Sequence, residues 1–248
     1  MEESLWNDYM KILAVTTYNN KLYKEYAHRF ESTYNWDFPY TVYNEDDGMM
    51  EAIPECKAFV ERNKNKFEGK DFLKDFWQDG VRFCYKVYAY THAILNYREY
   101  DYVIGIDADS VFYTPMTKDF IKTRLYKPEC MMTYLGRGNQ YSECGFLGFN
   151  MKHPEIINYA NEMKYMYDSD EIYNLKEQHD SYVWDHVRIL FEGKRKIQNL
   201  NIGDKKNAHV QARSVLGKYY DHTKGPTRKS VGYSGENPMV ISRGRPNG

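Results

Sequence analysis

The chain has 248 residues, a length that suits one α/β domain with a sizeable core. Its formal net charge is -1, from 34 Lys and Arg against 35 Asp and Glu, so no overall field draws it to nucleic acid or anionic lipid. The four cysteines lack zinc-site or disulfide-framework spacing, the start MEESLWNDYM is unlike a signal peptide, and no apolar stretch is long enough to span a membrane.

The first half of the chain alternates strand-like and helix-like segments. Strands are predicted at 11–17 (KILAVTT), 39–43 (PYTVY) and 102–106 (YVIGI), and helices at 21–34 and 81–96, with helices and a loop over 49–80. The near-continuous apolar run YVIGI is typical of a central parallel strand. This order predicts a βαβ arrangement.

The second half continues with shorter elements. The predicted strands are 111–116, 130–135 and 144–150, the predicted helices are 118–125, 155–167 and 178–191, and 136–140 is a predicted polar loop. The segment 230–248 is rich in Gly, Pro and Ser, which predicts a tail that is flexible or lies over a site. The pattern as a whole predicts one α/β domain over 1–229, with a central, mostly parallel sheet flanked by helices.

The triplet Asp107-Ala108-Asp109 follows YVIGI directly. Ligands of open α/β sheets bind at the C-terminal ends of the strands, and two carboxylates there offer the hard oxygen ligands that Mg²⁺ and Mn²⁺ prefer. Without a cation, two buried like charges would be costly. Such acids also occur in solvated turns, but the position after a buried strand favours a metal that binds a diphosphate.

A late segment, His222 to Lys229 (HTKGPTRK), could complete that site. The imidazole of His222 could be a third metal ligand, and Lys224, Arg228 or Lys229 could neutralise a departing diphosphate. Gly225 lets the backbone approach phosphate oxygens. The alternative is a basic surface loop with an incidental histidine.

In this order, the strand with DxD, the GFLGFN strand, the acid-bearing helix and the HxKG loop resemble the GT-A glycosyltransferases. The chain is most similar to the retaining families that include glycogenin and the bacterial galactosyltransferases of lipopolysaccharide synthesis, over roughly 10–229. The resemblance implies a GT-A (Rossmann-like) domain and a Mn²⁺- or Mg²⁺-dependent hexosyltransferase. It further implies a nucleotide-diphosphate sugar donor, UDP-linked by preference, retention, and a glycan, protein or lipid-linked acceptor.

The resemblance also assigns residues to the site. Implied metal ligands are Asp107, Asp109 and His222, and implied donor-binding residues are Thr16, Thr17, Tyr18, Arg82, Lys86, Asp107, Ala108, Lys224, Gly225 and Arg228. Tyr18 would stack on the base, or else be a half-exposed core ring. Arg82 and Lys86 would face the donor sugar or phosphates, or else form an exposed helix face.

Two carboxylates are the implied catalytic groups. ECGFLGFN matches the family's NAGVLVFN segment with Glu143 in place of Asn, and HDSYVWD loosely matches DQDILN, which places Asp180 near the sugar or acceptor. In a retaining transfer, the diphosphate could act as base, the route we favour, or one of these acids could stabilise an intermediate. In an inverting transfer, one of them would be the base.

Other functions fit the sequence less well. A nucleotidyltransferase usually needs a glycine-rich phosphate loop after KILAVTTYNN, and a nuclease needs a basic surface for nucleic acid. A nucleotide-sugar-binding protein of the same fold without turnover is the main non-enzymatic alternative. The cysteine usage and the absence of targeting segments predict a cytoplasmic protein, in the host cytoplasm if the chain is viral.

Overall fold

The computed structural model describes residues 10–138, 140–203 and 209–237, without the side chain of Phe72. The strands in these ranges are β1 (Ile12–Tyr18), β2 (Tyr40–Asn44), β3 (Tyr102–Ile106), β4 (Ser110–Phe112), β5 (Cys130–Arg137), β6 (Gln140–Asn150), β7 (Gln198–Asn201) and β8 (Tyr220–His222). The helices are α1 (Asn20–Leu22), α2 (His28–Thr33), α3 (Met49–Ala52), α4 (Pro54–Asn63), α5 (Phe72–Asp75), α6 (Gly80–Asn96), α7 (Lys118–Phe120), α8 (Ile156–Asp168), α9 (Asp180–Arg195), α10 (Val210–Arg213) and α11 (Pro226–Val231). Further helical segments, of the π or 3₁₀ type, are Tyr23–Ala27, Phe76–Gln78, Ile121–Leu125, Glu171–Asn174 and Val215–Lys218.

A six-stranded sheet in the order β2-β1-β3-β6-β5-β7 forms the centre of the fold. The pairs β1–β2, β1–β3 and β5–β7 are parallel, whereas β6 is antiparallel to both of its neighbours. All strands of this sheet except β6 therefore run in one direction. The predicted α/β fold with a central, mostly parallel sheet flanked by helices is confirmed.

The sheet is buried on both faces. Leu13 and Val15 of β1 belong to one apolar cluster with residues of α4, α6, α8 and α9, whereas Ile12 and Ala14 belong to a second cluster with residues of α2, α10 and β8. Because side chains alternate along a strand, a strand covered on both sides needs an unbroken apolar run. This explains why the central strands stand out in the sequence.

Several predicted boundaries were wrong. The strand predicted at 111–116 ends at Phe112, because its partner is the three-residue β8 in a separate two-stranded sheet. The predicted loop 136–140 is largely strand, since β5 and β6 pair up to Arg137 and Gln140. The helix predicted at 178–191 is α9, which runs over Asp180–Arg195.

The predicted tail, 230–248, lies partly outside the described residues. Within its described part, the Ser234 backbone and hydroxyl both donate to the Asp221 carboxylate, and Asn237 donates to the Tyr220 carbonyl. Ser234 and Asn237 are buried. The domain boundary at 229 stays a prediction. No helix in the described parts of the chain has the length and apolarity needed to cross a membrane.

Candidate functional site

A cleft of about 1460 Å³ opens where β1, β2 and β3 end. Thr17 of β1, Glu45 after β2 and Asp107 after β3 all line it. Parallel neighbouring strands end at the same edge of a sheet, which makes this edge the usual ligand site of such folds. The cleft exceeds the roughly 300–1,000 Å³ typical of a site for one small molecule.

The β4–β8 ladder brings the acidic triplet and the late histidine together. Ser110 pairs with His222 in this ladder. Nε2 of His222 lies 3.0 Å from Oδ1 of Asp109 and 3.4 Å from Oδ2 of Asp107. Thr223 holds the register through its backbone N–H and hydroxyl, which both donate to the Asp109 carbonyl, at 3.0 and 2.7 Å. Two motifs 113 to 115 positions apart in the chain are thus in contact.

The acidic neighbours of His222 raise the pKa of its imidazole. Burial alone would lower its pKa, but Asp109 and Asp107 raise the pKa of the imidazole to about 10. Burial would also raise the pKa of Asp109, but His222 and Lys229 hold it well below its usual range. The imidazole therefore carries a proton in the presence of these acids alone, and a cation bound at Nε2 would replace that proton.

Glu143 of β6 reaches His222 from the other side. Its Oε1 lies 3.9 Å from Nδ1 of His222, and its Oε2 lies 3.0 Å from Nζ of Lys224 and 3.3 Å from Nη1 of Arg137. Burial would raise the pKa of Glu143, but Lys224 and His222 lower it to about 2. Glu143 is therefore an ionised carboxylate surrounded by cations.

Gly145 makes room for His222. A Cβ at Gly145 would lie 2.6 Å from Cε1 and 2.7 Å from Nδ1 of the imidazole, closer than real Cβ contacts come. The ring is itself buried. A glycine two residues after Glu143 is therefore required if the histidine is to enter the site.

Three side chains form a candidate metal cluster. Asp107, Glu143 and His222 each offer one ligand atom, and these atoms lie within 4.8 Å of one another. Two carboxylates and an imidazole suit Mn²⁺ or Mg²⁺, so the residues present fit the predicted cation. Asp109 lies outside this cluster, with Oδ2 3.0 Å from Nζ of Lys229; the predicted set of Asp107, Asp109 and His222 thus differs from the cluster by one residue.

Lys86 of α6 links the cluster to Asp180 at the start of α9. Its Nζ lies 2.5 Å from Oδ1 of Asp107 and 2.6 Å from Oδ2 of Asp180. Burial would lower the pKa of Lys86, but the two carboxylates outweigh it and raise the pKa well above its ordinary value. The same cation keeps the pKa of Asp180 well below its usual range against the effect of burial.

The structure divides the predicted donor residues into two groups. Those that line the cleft are Thr17, Arg82, Lys86, Asp107, Ala108, Lys224 and Gly225. Thr16 and Tyr18 do not line it, because alternation along β1 turns both into the protein, where both are buried and the Tyr18 hydroxyl donates to Glu31. Arg228 does not line it either, since its guanidinium donates to the Lys224 carbonyl and to Glu236.

Several lining residues were not in the predicted donor set, among them Lys229, which the sequence offered only as a neutralising group for the diphosphate, and Glu45. Lys229 lies in the cleft with its Nζ 4.0 Å from the centre of the Tyr26 ring. Glu45 accepts hydrogen bonds from Asn19 at 3.0 Å and Thr17 at 3.3 Å, and burial raises its pKa to about 7. The acidic turn after PYTVY was a usable signal for Glu45, because it too follows a parallel strand.

No protein-family model matches the sequence, and no curated protein matches it. Among solved structures, the chain is similar to a glycosyltransferase involved in the glycosylation of the major capsid of PBCV-1, at 9% identity over 94% of this chain and 99% of that chain, with a TM-score of 0.46. It is also similar to the apo-form glycosyltransferase GlyE of Streptococcus pneumoniae TIGR4, at 17% identity over 78% of this chain and 46% of that chain, with a TM-score of 0.43. Both TM-scores are below 0.5, so function has to be inferred from this chain's own residues and contacts.

Proposed function

We propose that the chain is a glycosyltransferase that uses a nucleotide-diphosphate sugar and a divalent cation, with Mn²⁺ preferred. One observation carries this proposal: Asp107, Glu143 and His222 converge at the ligand edge of the sheet. Lys224 and Lys229 line the same cleft. A cation held by acids, with lysines beside it, is the arrangement that a diphosphate leaving group needs.

The donor would lie along the ends of the strands. Its diphosphate would occupy the space between the cation cluster and Lys229, and its nucleoside would extend towards Thr17 and Glu45, which line the cleft at the ends of β1 and β2. The preference for UDP rests on the family resemblance of the motifs.

The cation, when bound, would act as a Lewis acid on the diphosphate as the sugar–oxygen bond breaks. Lys224 and Lys229 would neutralise the charge that develops on the leaving group. These lysines are already paired with Glu143 and Asp109, at 3.0 Å each, which fixes their positions before a donor arrives.

We infer retention of configuration from the state of the two predicted catalytic acids. Glu143 is paired with Arg137 and Lys224, and Asp180 is paired with Lys86. A carboxylate held by cations is a poor base for an acceptor hydroxyl, which disfavours an inverting transfer. The departing diphosphate would then take the acceptor proton, on the face from which the sugar leaves. The other retaining route, in which Glu143 or Asp180 stabilises an intermediate, is disfavoured by the same ion pairs.

The test is donor hydrolysis without an acceptor. UDP-, GDP- and CMP-sugars are incubated with the chain and Mn²⁺, and nucleotide release is measured for the wild type, Asp107→Asn and Asp119→Asn. Asp119 is an exposed acid on α7 and serves as the matched control. We expect Mn²⁺-dependent release of UDP from the wild type and the control, and a loss of roughly 100-fold in Asp107→Asn.

Other outcomes identify the alternatives. Equal hydrolysis by all three proteins would contradict the proposal. Thermal stabilisation by donor and metal without hydrolysis or transfer would indicate a non-catalytic nucleotide-sugar-binding protein. Formation of a nucleotide sugar from a nucleoside triphosphate and a sugar phosphate would indicate a nucleotidyltransferase.

A further inference from the structure

A second part of the cleft carries a group of aromatic rings, with charged side chains beside them. Phe76 and Trp77 lie in the turn before α6, Phe83 lies on α6, and Tyr141 lies in β6. Phe76 is 40% exposed. The ring of His179 joins them, with its centre 6.0 Å from that of Phe76 and 5.2 Å from that of Tyr141. These five residues are called the aromatic wall below.

The aromatic wall adjoins the predicted reaction centre. His179 immediately precedes Asp180, which shares the Lys86 ammonium with Asp107. The wall is therefore separated from the metal cluster by one lysine and one carboxylate. The backbone N–H of Gln178 donates to the Trp77 carbonyl at 2.6 Å, which ties the two segments of the wall together.

Polar groups are set among the rings of the wall. The Tyr141 hydroxyl donates to Oε1 of Glu177 at 2.5 Å, and Nε2 of His179 lies 3.0 Å from Oε2 of the same carboxylate. Glu177 is only half-buried and lines the cleft. Ring faces beside a carboxylate and an imidazole present both an apolar surface and hydrogen-bonding groups to one ligand.

We propose that the aromatic wall binds the acceptor and that the acceptor is a carbohydrate; this inference rests on the proposed function. The cleft volume of about 1460 Å³ leaves room for a second ligand beside the donor. The C–H face of a pyranose packs on aromatic rings, and its hydroxyls require partners such as Glu177 and His179. An acyl chain would instead have to lie against the charged groups of Lys176 and Glu177, which also line this part of the cleft.

The test is ligand-observed saturation-transfer NMR with a panel of neutral methyl glycosides of hexoses, pentoses, deoxyhexoses and N-acetylhexosamines. It is run on the full chain with and without UDP and Mg²⁺, since Mn²⁺ would broaden the spectra. The variants are Phe76→Ala, Phe76→Trp and the control Tyr165→Ala. Tyr165 is an exposed aromatic residue on α8, 54% exposed, and does not line the cleft.

We expect at least one glycoside to bind the wild type, Tyr165→Ala and Phe76→Trp. Phe76→Ala should bind it about tenfold more weakly, which corresponds to about 1.4 kcal/mol of aromatic contact. Tyr141→Ala is the second variant, with the same expected loss, if Phe76→Ala does not fold. UDP binding, measured separately by thermal shift, should be unchanged in all variants. Loss of UDP binding would therefore count against the proposed donor site, whereas loss of glycoside binding alone would concern the aromatic wall.

Three results would overturn the carbohydrate proposal. One is a panel in which no glycoside binds the wild type. Another is equal glycoside binding by the wild type, Phe76→Ala and Tyr141→Ala. The third is transfer to a Ser/Thr peptide library, lost in Phe76→Ala, with no transfer to any glycoside, which would assign the wall to a protein acceptor.

Discussion

Replacement of Gly145 by Ala tests whether His222 enters the site through the space that this glycine leaves. The new Cβ would lie 2.6 Å from Cε1 of the imidazole, whereas ordinary contact begins at 3.4 Å. The ring would have to retreat by about 0.8 Å, more than the roughly 0.5 Å within which a preorganised site tolerates displacement. We expect Mn²⁺ affinity to fall by roughly 10–100-fold, and the overpacking to cost about 1–3 kcal/mol of stability.

The assay is calorimetric titration of the metal-free chain with Mn²⁺, accompanied by urea denaturation. Gly193→Ala is the matched control, because Gly193 lies in α9 and a Cβ at this position would meet no neighbouring side chain within 4 Å. This control should keep its Mn²⁺ affinity and gain up to about 1 kcal/mol of stability from helix propensity. A folded Gly145→Ala variant with wild-type Mn²⁺ affinity would refute the reasoning, since His222 would then not need this space to bind the metal.

Three further predictions concern the charged groups of the cleft. Lys229→Ala should weaken the binding of UDP in the presence of Mn²⁺ about tenfold, measured by calorimetry, because it removes a cation from the proposed diphosphate site. Arg228→Ala is the control and should leave UDP affinity unchanged, because Arg228 does not line the cleft. Equal losses of affinity in the two variants would contradict this placement of the diphosphate. In EDTA, Lys86→Met should lower the free energy of unfolding by about 3 kcal/mol, because the buried Asp180 and the half-buried Asp107 lose their shared cation. An unchanged urea midpoint would show that the bridge is not stabilising. Glu45 has a folded-state pKa of about 7 against an ordinary 4.5, so the stability it contributes at low pH is lost as pH rises from 4.5 through 7. Across this window, urea titrations should show Glu45→Gln gaining roughly 2 kcal/mol relative to the wild type, and a constant difference would contradict the raised pKa.

The central strands and the edge that carries the site could be predicted from the sequence. The segments Ile12–Val15 and Tyr102–Ile106 are unbroken apolar runs because both faces of the sheet are covered, and this leaves a strong local pattern. The end of YVIGI then locates Asp107 in the cleft by a rule that needs no long-range information. Lys86 came instead from the family resemblance, which implies basic groups on the helix before that strand.

The remaining parts of the site depend on pairings between distant segments. β6 is antiparallel to its neighbours, and no local pattern in ECGFLGFN encodes that direction. β4 and β8 have three residues each, too few for a period of two to be recognised, yet their pairing places His222 beside Asp109. Thr16 and Tyr18 are excluded from the cleft because successive side chains of β1 point to opposite faces of the sheet. The sequence alone does not tell which of the two faces is turned towards the ligand.

In the proposed site, Asp107, Glu143 and His222 hold a cation to which a nucleoside diphosphate binds. Calorimetric titration with UDP in EDTA and in saturating Mn²⁺ tests it most directly, because a bridging cation makes the two ligands bind cooperatively. UDP should bind at least about tenfold more tightly with Mn²⁺ in the wild type, and this enhancement should disappear in His222→Ala. Equal UDP affinity with and without Mn²⁺, or an enhancement that survives in His222→Ala, would show that these residues do not hold a cation that binds the diphosphate.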